Sequence, residues 1–130
     1  MKKQLSILFF LVCSFTATLS FGQARIGSTE YEIKSDFPDK TFERGYTDKD
    51  VKWISFKGLL GLTIYYCDEN GKCNLCALFP NDQKTLNILA EKYNKEYVII
   101  SDTKWKMYSA GGVMYIDLKL EDDGYYFIYY

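Results

Sequence analysis

Met114-Tyr115-Ile116-Asp117-Leu118-Lys119-Leu120-Glu121, followed by Asp122-Asp123-Gly124 and then Tyr125-Tyr126-Phe127-Ile128-Tyr129-Tyr130, sets the class of this chain. Strict alternation places Met114, Ile116, Leu118 and Leu120 on one side of a strand, and Tyr115, Asp117, Lys119 and Glu121 on the other. A turn at Asp123-Gly124 returns the chain as a second, aromatic strand. A hairpin with one apolar and one wet side belongs to an antiparallel sheet covered on a single face.

Toward the N-terminus the same plan reads twice. Lys104-Trp105 opens the unit just described. Lys52-Trp53 opens another that runs through Leu62-Thr63-Ile64-Tyr65-Tyr66 and a turn at Asn70-Gly71 to an apolar strand from Leu75 to Phe79. Each unit follows a helix-start signal, Ser28-Thr29 in one and Asn81-Asp82 in the other. Thr29 and Glu32 have capping-box spacing, Ile33 and Phe37 fall four apart on one side, and Pro38 stops the helix. In the second helix Leu86, Leu89, Ala90 and Tyr93 form the buried stripe, with Lys84, Asn87, Glu91 and Lys95 outside. Tyr97-Val98-Ile99-Ile100 reads as a strand leaving that helix. The expected fold is therefore α+β: an α-βββ unit used twice, over about 27–79 and 82–130. It forms one antiparallel sheet with both helices on one face and the other face open.

Ahead of this domain, Lys2 and Lys3 precede an apolar run from Leu5 to Val12, and Ser20 and Gly22 leave a cleavage junction before Gln23. Residues 1–22 read as a signal peptide, too short in its apolar part to span a bilayer. A single exported domain, periplasmic or extracellular, is expected over 23–130. Cys13 follows Leu11-Val12 and offers a lipid-anchored alternative, though a small residue normally precedes the modified cysteine. Without the leader, 14 of the 16 basic residues remain against 17 acids, a net charge of −3. That balance favours neither nucleic acid nor an anionic membrane surface.

Histidine is absent from the sequence, which excludes imidazole general bases and imidazole metal ligands. Asp117 and Glu121 are four apart on a strand, about 13 Å, too far for a retaining carboxylate pair. Glu121-Asp122-Asp123-Gly124 lacks calcium-loop spacing and reads as a turn. Ser109-Ala110-Gly111-Gly112 has no lysine and no following helix to cradle phosphate. No catalytic residue, cofactor or metal is expected.

Of the three cysteines beyond the leader, Cys67 and Cys73 are the disulfide candidate. A three-residue turn with Gly71 left-handed sets them directly opposite. A two-residue turn at Asn70-Gly71 instead sets Cys67 diagonal to Cys76, and reduced or intermolecular thiols complete the alternatives. Cys73-Asn74-Leu75-Cys76 has redox spacing, but inside a strand, away from the helix N-terminus that acidifies a redox thiol.

Tyrosine is the feature that points to function. Tyr65, Tyr115, Tyr126 and Trp105 are the candidate binding residues, since aromatic rings on an open sheet face give contact area at low entropic cost. The partner class is a protein or an envelope glycan. The alternative is a structural envelope component that assembles through the C-terminal strand Tyr125 to Tyr130 as a sheet edge.

Gly27-Ser28-Thr29-Glu30-Tyr31-Glu32-Ile33 resembles the Gly-x-Thr-x-x-Glu/Gln-Val/Ile helix start of the small outer-membrane assembly lipoproteins and of the β-lactamase inhibitor protein-like repeats. The hairpin from Leu62 to Cys73 is similar to their strand, Asp-x-x-Gly turn and strand. Asp36-Phe37-Pro38 stands where those families often have Gly-x-Pro. The resemblance implies a binding or inhibitory surface on the open sheet face and no enzymatic site, with no functional residue carried over.

Overall fold

The computed structural model describes residues 24–109 and 112–130. The expected leader, its cleavage junction and Cys13 lie outside the described residues, as do Ala110 and Gly111. In chain order the elements are α1 (Glu30–Asp36), β1 (Glu43–Tyr46), β2 (Lys52–Lys57), β3 (Gly61–Cys67), β4 (Cys73–Pro80), α2 (Gln83–Glu96), β5 (Val98–Ser101), β6 (Lys104–Ser109), β7 (Gly112–Glu121) and β8 (Gly124–Tyr129). All eight strands form one antiparallel sheet in the order β1-β2-β3-β4-β8-β7-β6-β5. The protein is α+β, but each helix is followed by four strands, not three. The strand missing from the expected plan is β1, Glu43-Arg44-Gly45-Tyr46, a polar edge strand with no apolar alternation to betray it.

Topology corrects a second expectation. The strand ending at Tyr129 is not an edge. It pairs with β4 on one side (Cys76↔Tyr129, Leu78↔Phe127) and with β7 on the other. The cause is α2, which carries the chain from the middle of the sheet to its far border, so the second half is laid down from the outside inward. The true edges are β1 and β5.

Both helices start as their sequences dictate. The backbone N–H of Glu32 donates to Thr29 Oγ1 at 3.2 Å, and the N–H of Thr29 donates to Glu32 Oε1 at 3.2 Å, closing the capping box. At α2 the Asp82 carboxylate accepts from the N–H of Thr85 at 2.8 Å. Only seven residues long, α1 is short for autonomous stability. Ile33 anchors it in the core, and Glu30 ties it to the sheet by accepting from Lys52 Nζ at 2.7 Å beside Arg44 and Lys34. The hydrogen bond from Lys52 holds the Glu30 carboxyl below its ordinary range.

One row of directly paired residues crosses the whole sheet: Arg44, Ile54, Tyr65, Cys76, Tyr129, Ile116, Trp105 and Ile99. Its six central members are buried. Tyr93 of α2 packs edge-on against Trp105, Phe127 and Tyr129, and its hydroxyl shares a hydrogen bond with that of Tyr129. Near α1, Phe37 and Phe42 close over Phe56. Leu120, expected on this side, is 66% exposed because β7 runs past the core cluster.

Burial raises the pKa values of the interior thiols and phenols, so they hold their protons more tightly. Cys73 is pushed up to about 12, and Cys67, Cys76, Tyr65, Tyr93 and Tyr129 are raised as well, desolvation being the first cause in each. A group whose proton is held more tightly in the fold stabilises it fully below the unfolded pKa, and that contribution disappears as pH rises toward the folded value. Stability should therefore be flat up to about pH 8 and fall beyond it. The slope is about 1.4 kcal/mol per pH unit for each proton only the unfolded chain has released. Urea midpoints under reducing conditions between pH 7 and 11 measure this, and a midpoint unchanged at pH 10.5 contradicts it.

Candidate binding face

Strand parity separates the four candidate aromatic residues into two pairs. Tyr65 and Trp105 stand on the buried row just described, and Trp105 is 1% exposed. They are core residues. Tyr115 and Tyr126 stand on the opposite side and are half-buried. Lys104 and Lys106 carried the missed signal, because a tryptophan between two lysines in a strand points away from the side the lysines share. The two Lys-Trp pairs also differ in direction: Trp53 pairs with Tyr66, on the side away from the row of Ile54 and Tyr65.

A second row therefore crosses all eight strands on that other side: Glu43, Ser55, Ile64, Ala77, Ile128, Asp117, Lys104 and Ser101. Rings flank it. Phe79 stacks on Tyr126 with centroids 5.0 Å apart. Tyr115 stacks on Tyr130 at 5.6 Å, and those two residues exchange backbone hydrogen bonds just beyond the end of β8. Tyr108, on the neighbouring strand, is 63% exposed. The β3 and β4 end of the face is apolar, with Leu62, Ile64, Tyr66, Leu75 and Phe79 all half-buried.

Charge gathers at the β6 and β7 end. Lys104 Nζ lies 5.0 Å from the Tyr115 ring centroid and 5.8 Å from that of Tyr130. Lys106 Nζ lies 5.0 Å from the Tyr108 ring and 5.9 Å from that of Tyr115, so two ammonium groups straddle one tyrosine. Asp117 accepts from the Tyr130 hydroxyl at 3.0 Å and sits 3.9 Å from both Lys104 and Lys119. Hydrogen bonding with Tyr130 raises the Lys104 pKa, with Asp117 adding to it; the Tyr108 hydroxyl does the same for Lys106. Both ammonium groups therefore remain charged across the physiological range. The Tyr126 hydroxyl donates to Glu121 Oε1 at 2.7 Å, which raises its own pKa.

This arrangement suits recognition. Asp117 and Glu121 are already engaged by phenols, and Asp117 by cations as well, while rings and ammonium groups present apolar area and positive charge together. Among the described residues no group of three or more acidic or thiol side chains is placed to hold a metal ion, and no helix is long and apolar enough to cross a membrane. No family model matches the chain, and neither a curated protein nor a solved structure does.

The disulfide candidate is also placed. Cys67 and Cys73 are directly opposite each other, and both are buried without being bonded. Cys76 lies on the buried row, between Tyr65 and Tyr129.

Proposed function

We propose that this protein is an exported, non-enzymatic binding module whose aromatic sheet face recognises a protein or an envelope glycan. The observation that carries the reading is the band of Phe79, Tyr126, Tyr130, Tyr115 and Tyr108, interleaved with Lys104 and Lys106. Ring contacts from Phe37 and Tyr93 to Phe56, Trp105 and Phe127 fall on the opposite side, which supports a sheet with both helices on one face and its other face open for recognition. The repeated order of one helix and four strands, mirrored in the strand order, supports descent of the two halves from one duplicated unit. Export rests on the leader-like residues 1–22. A structural role through edge pairing would have to use β1 or β5, since β8 is enclosed.

Alanine at both Tyr115 and Tyr126 tests the reading. Ring truncation in a binding patch costs about 1–2 kcal/mol each, so the double variant should bind its partner roughly 30- to 1,000-fold more weakly. The thermal midpoint should move little, because neither ring is in the core. Paired affinity captures from envelope extract, with wild-type and double-variant baits, supply the comparison. A partner retained equally by both baits contradicts the assignment.

A further inference from the structure

We propose that Cys67 and Cys73 are an oxidisable pair that closes a cross-strand disulfide at the tip of the β3–β4 hairpin, with Cys76 remaining a thiol. The inference rests on hairpin geometry alone and stands apart from the binding reading.

Turn chemistry sets the register. The N–H of Gly71 donates to the Asp68 carbonyl at 3.0 Å, and the N–H of Asp68 donates to the Lys72 carbonyl at 2.8 Å. The Asp68 carboxylate accepts from the N–H groups of Asn70 and Lys72. Gly71 takes φ +76°, so the loop is Glu69-Asn70-Gly71, three residues with glycine left-handed. One step inward the chain pairs Cys67 with Cys73.

The backbone of Cys73 decides the type of pair. Its N–H donates to the Ser28 carbonyl at 2.7 Å, and its carbonyl accepts from the N–H of Gly27 at 2.6 Å. Both polar groups therefore point away from Cys67, making this a non-hydrogen-bonded pair. In such pairs the Cα atoms lie about 4.5 Å apart, within the span a disulfide bridges. Cys76 pairs with Tyr65, two residues along β3 from Cys67, which makes it a diagonal neighbour about 7–8 Å away, beyond the span a disulfide bridges.

Closure breaks two S–H bonds and forms one S–S bond. Two electrons and two protons pass to the disulfide of an oxidised small thiol such as oxidised glutathione, which leaves as two thiols. Both sulfurs are buried and burial holds them protonated, so exchange belongs to folding or to transient opening of the hairpin. Once closed, the bond fixes the strand end that carries Tyr66 and Leu75 on its other side. It also fixes Cys73 where it holds Gly27 and Ser28.

The test is differential alkylation of the full chain refolded in a glutathione redox buffer, followed by tryptic mapping. Cleavage after Lys57, Lys72 and Lys84 puts Cys67 in the 58–72 peptide and both Cys73 and Cys76 in the 73–84 peptide. Fragmentation should find the two peptides joined through Cys73, with Cys76 alkylated. The wild-type thermal midpoint should fall by roughly 5–10 °C on reduction, and Cys67→Ser should lose that sensitivity. Alkylation of both Cys67 and Cys73, or a bond through Cys76 or Cys13, overturns the proposal, and the mapping needs no variant to fold.

Discussion

Replacing Trp105 with alanine should cost about 3–5 kcal/mol of folding stability. Trp105 is the largest fully buried side chain in the described fold. Its ring meets Tyr93 at 5.6 Å and Phe127 at 6.2 Å, and its indole N–H donates to Asn94 Oδ1 at 2.8 Å. Truncation therefore opens a cavity where α2 meets β6 and β8, and it releases the cross-link between helix and sheet. Against the 5–15 kcal/mol typical of a domain, such a loss leaves a protein that is partly unfolded at moderate temperature. Trp105→Phe should recover most of the loss, because it keeps the ring contacts and gives up only the hydrogen bond. Urea unfolding of both variants measures the difference. A Trp105→Ala protein destabilised by less than about 1 kcal/mol would return this residue to the binding surface.

Gly61→Ala should cost about 2–4 kcal/mol, combining backbone strain with overpacking. Gly61 begins β3 at φ +149°, and a Cβ there would stand 1.9 Å from the Phe79 carbonyl oxygen. That oxygen belongs to the backbone of β4, so no side-chain rotation relieves the clash. Around it the N–H of Gly58 donates to the Gly61 carbonyl, and the N–H of Asn81 donates to that of Leu60. The strain would spread into both connections. Gly71→Ala is the control, since Gly71 is left-handed with nothing within 4 Å of its added Cβ. Its cost should be about 1 kcal/mol. Equal midpoints for the two variants would mean that the close approach at Phe79 has no energetic weight.

How much of this could be read beforehand follows the strength of local signals. The capping box at Thr29 and Glu32, the stripe of α2 and the alternation of β7 from Met114 to Leu118 are each encoded within a few neighbouring residues, and each appears where expected; only Leu120 departs from its pattern. Parity in β3 is different. Leu62, Ile64 and Tyr66 are as apolar as Thr63 and Tyr65, because one side packs the core and the other carries the candidate face. Period two is present there without a label, so the pattern alone does not show that Tyr65 faces the core. The hairpin loop was equally ambiguous, since Asn70-Gly71 fits a two-residue turn until the Asp68 side chain is seen bonding Asn70 and Lys72. The pairing of β4 with β8 is set by contacts some fifty residues apart in sequence, beyond the reach of local propensity.

The enclosed position of β8 bears on how the molecule is made. Of the eight strands it is synthesised last, yet it is the seam between the two four-stranded halves. Until it is made, the border of β4 that it will cover has no strand of the second half beside it. The halves join only when β8 arrives, so the sheet closes late.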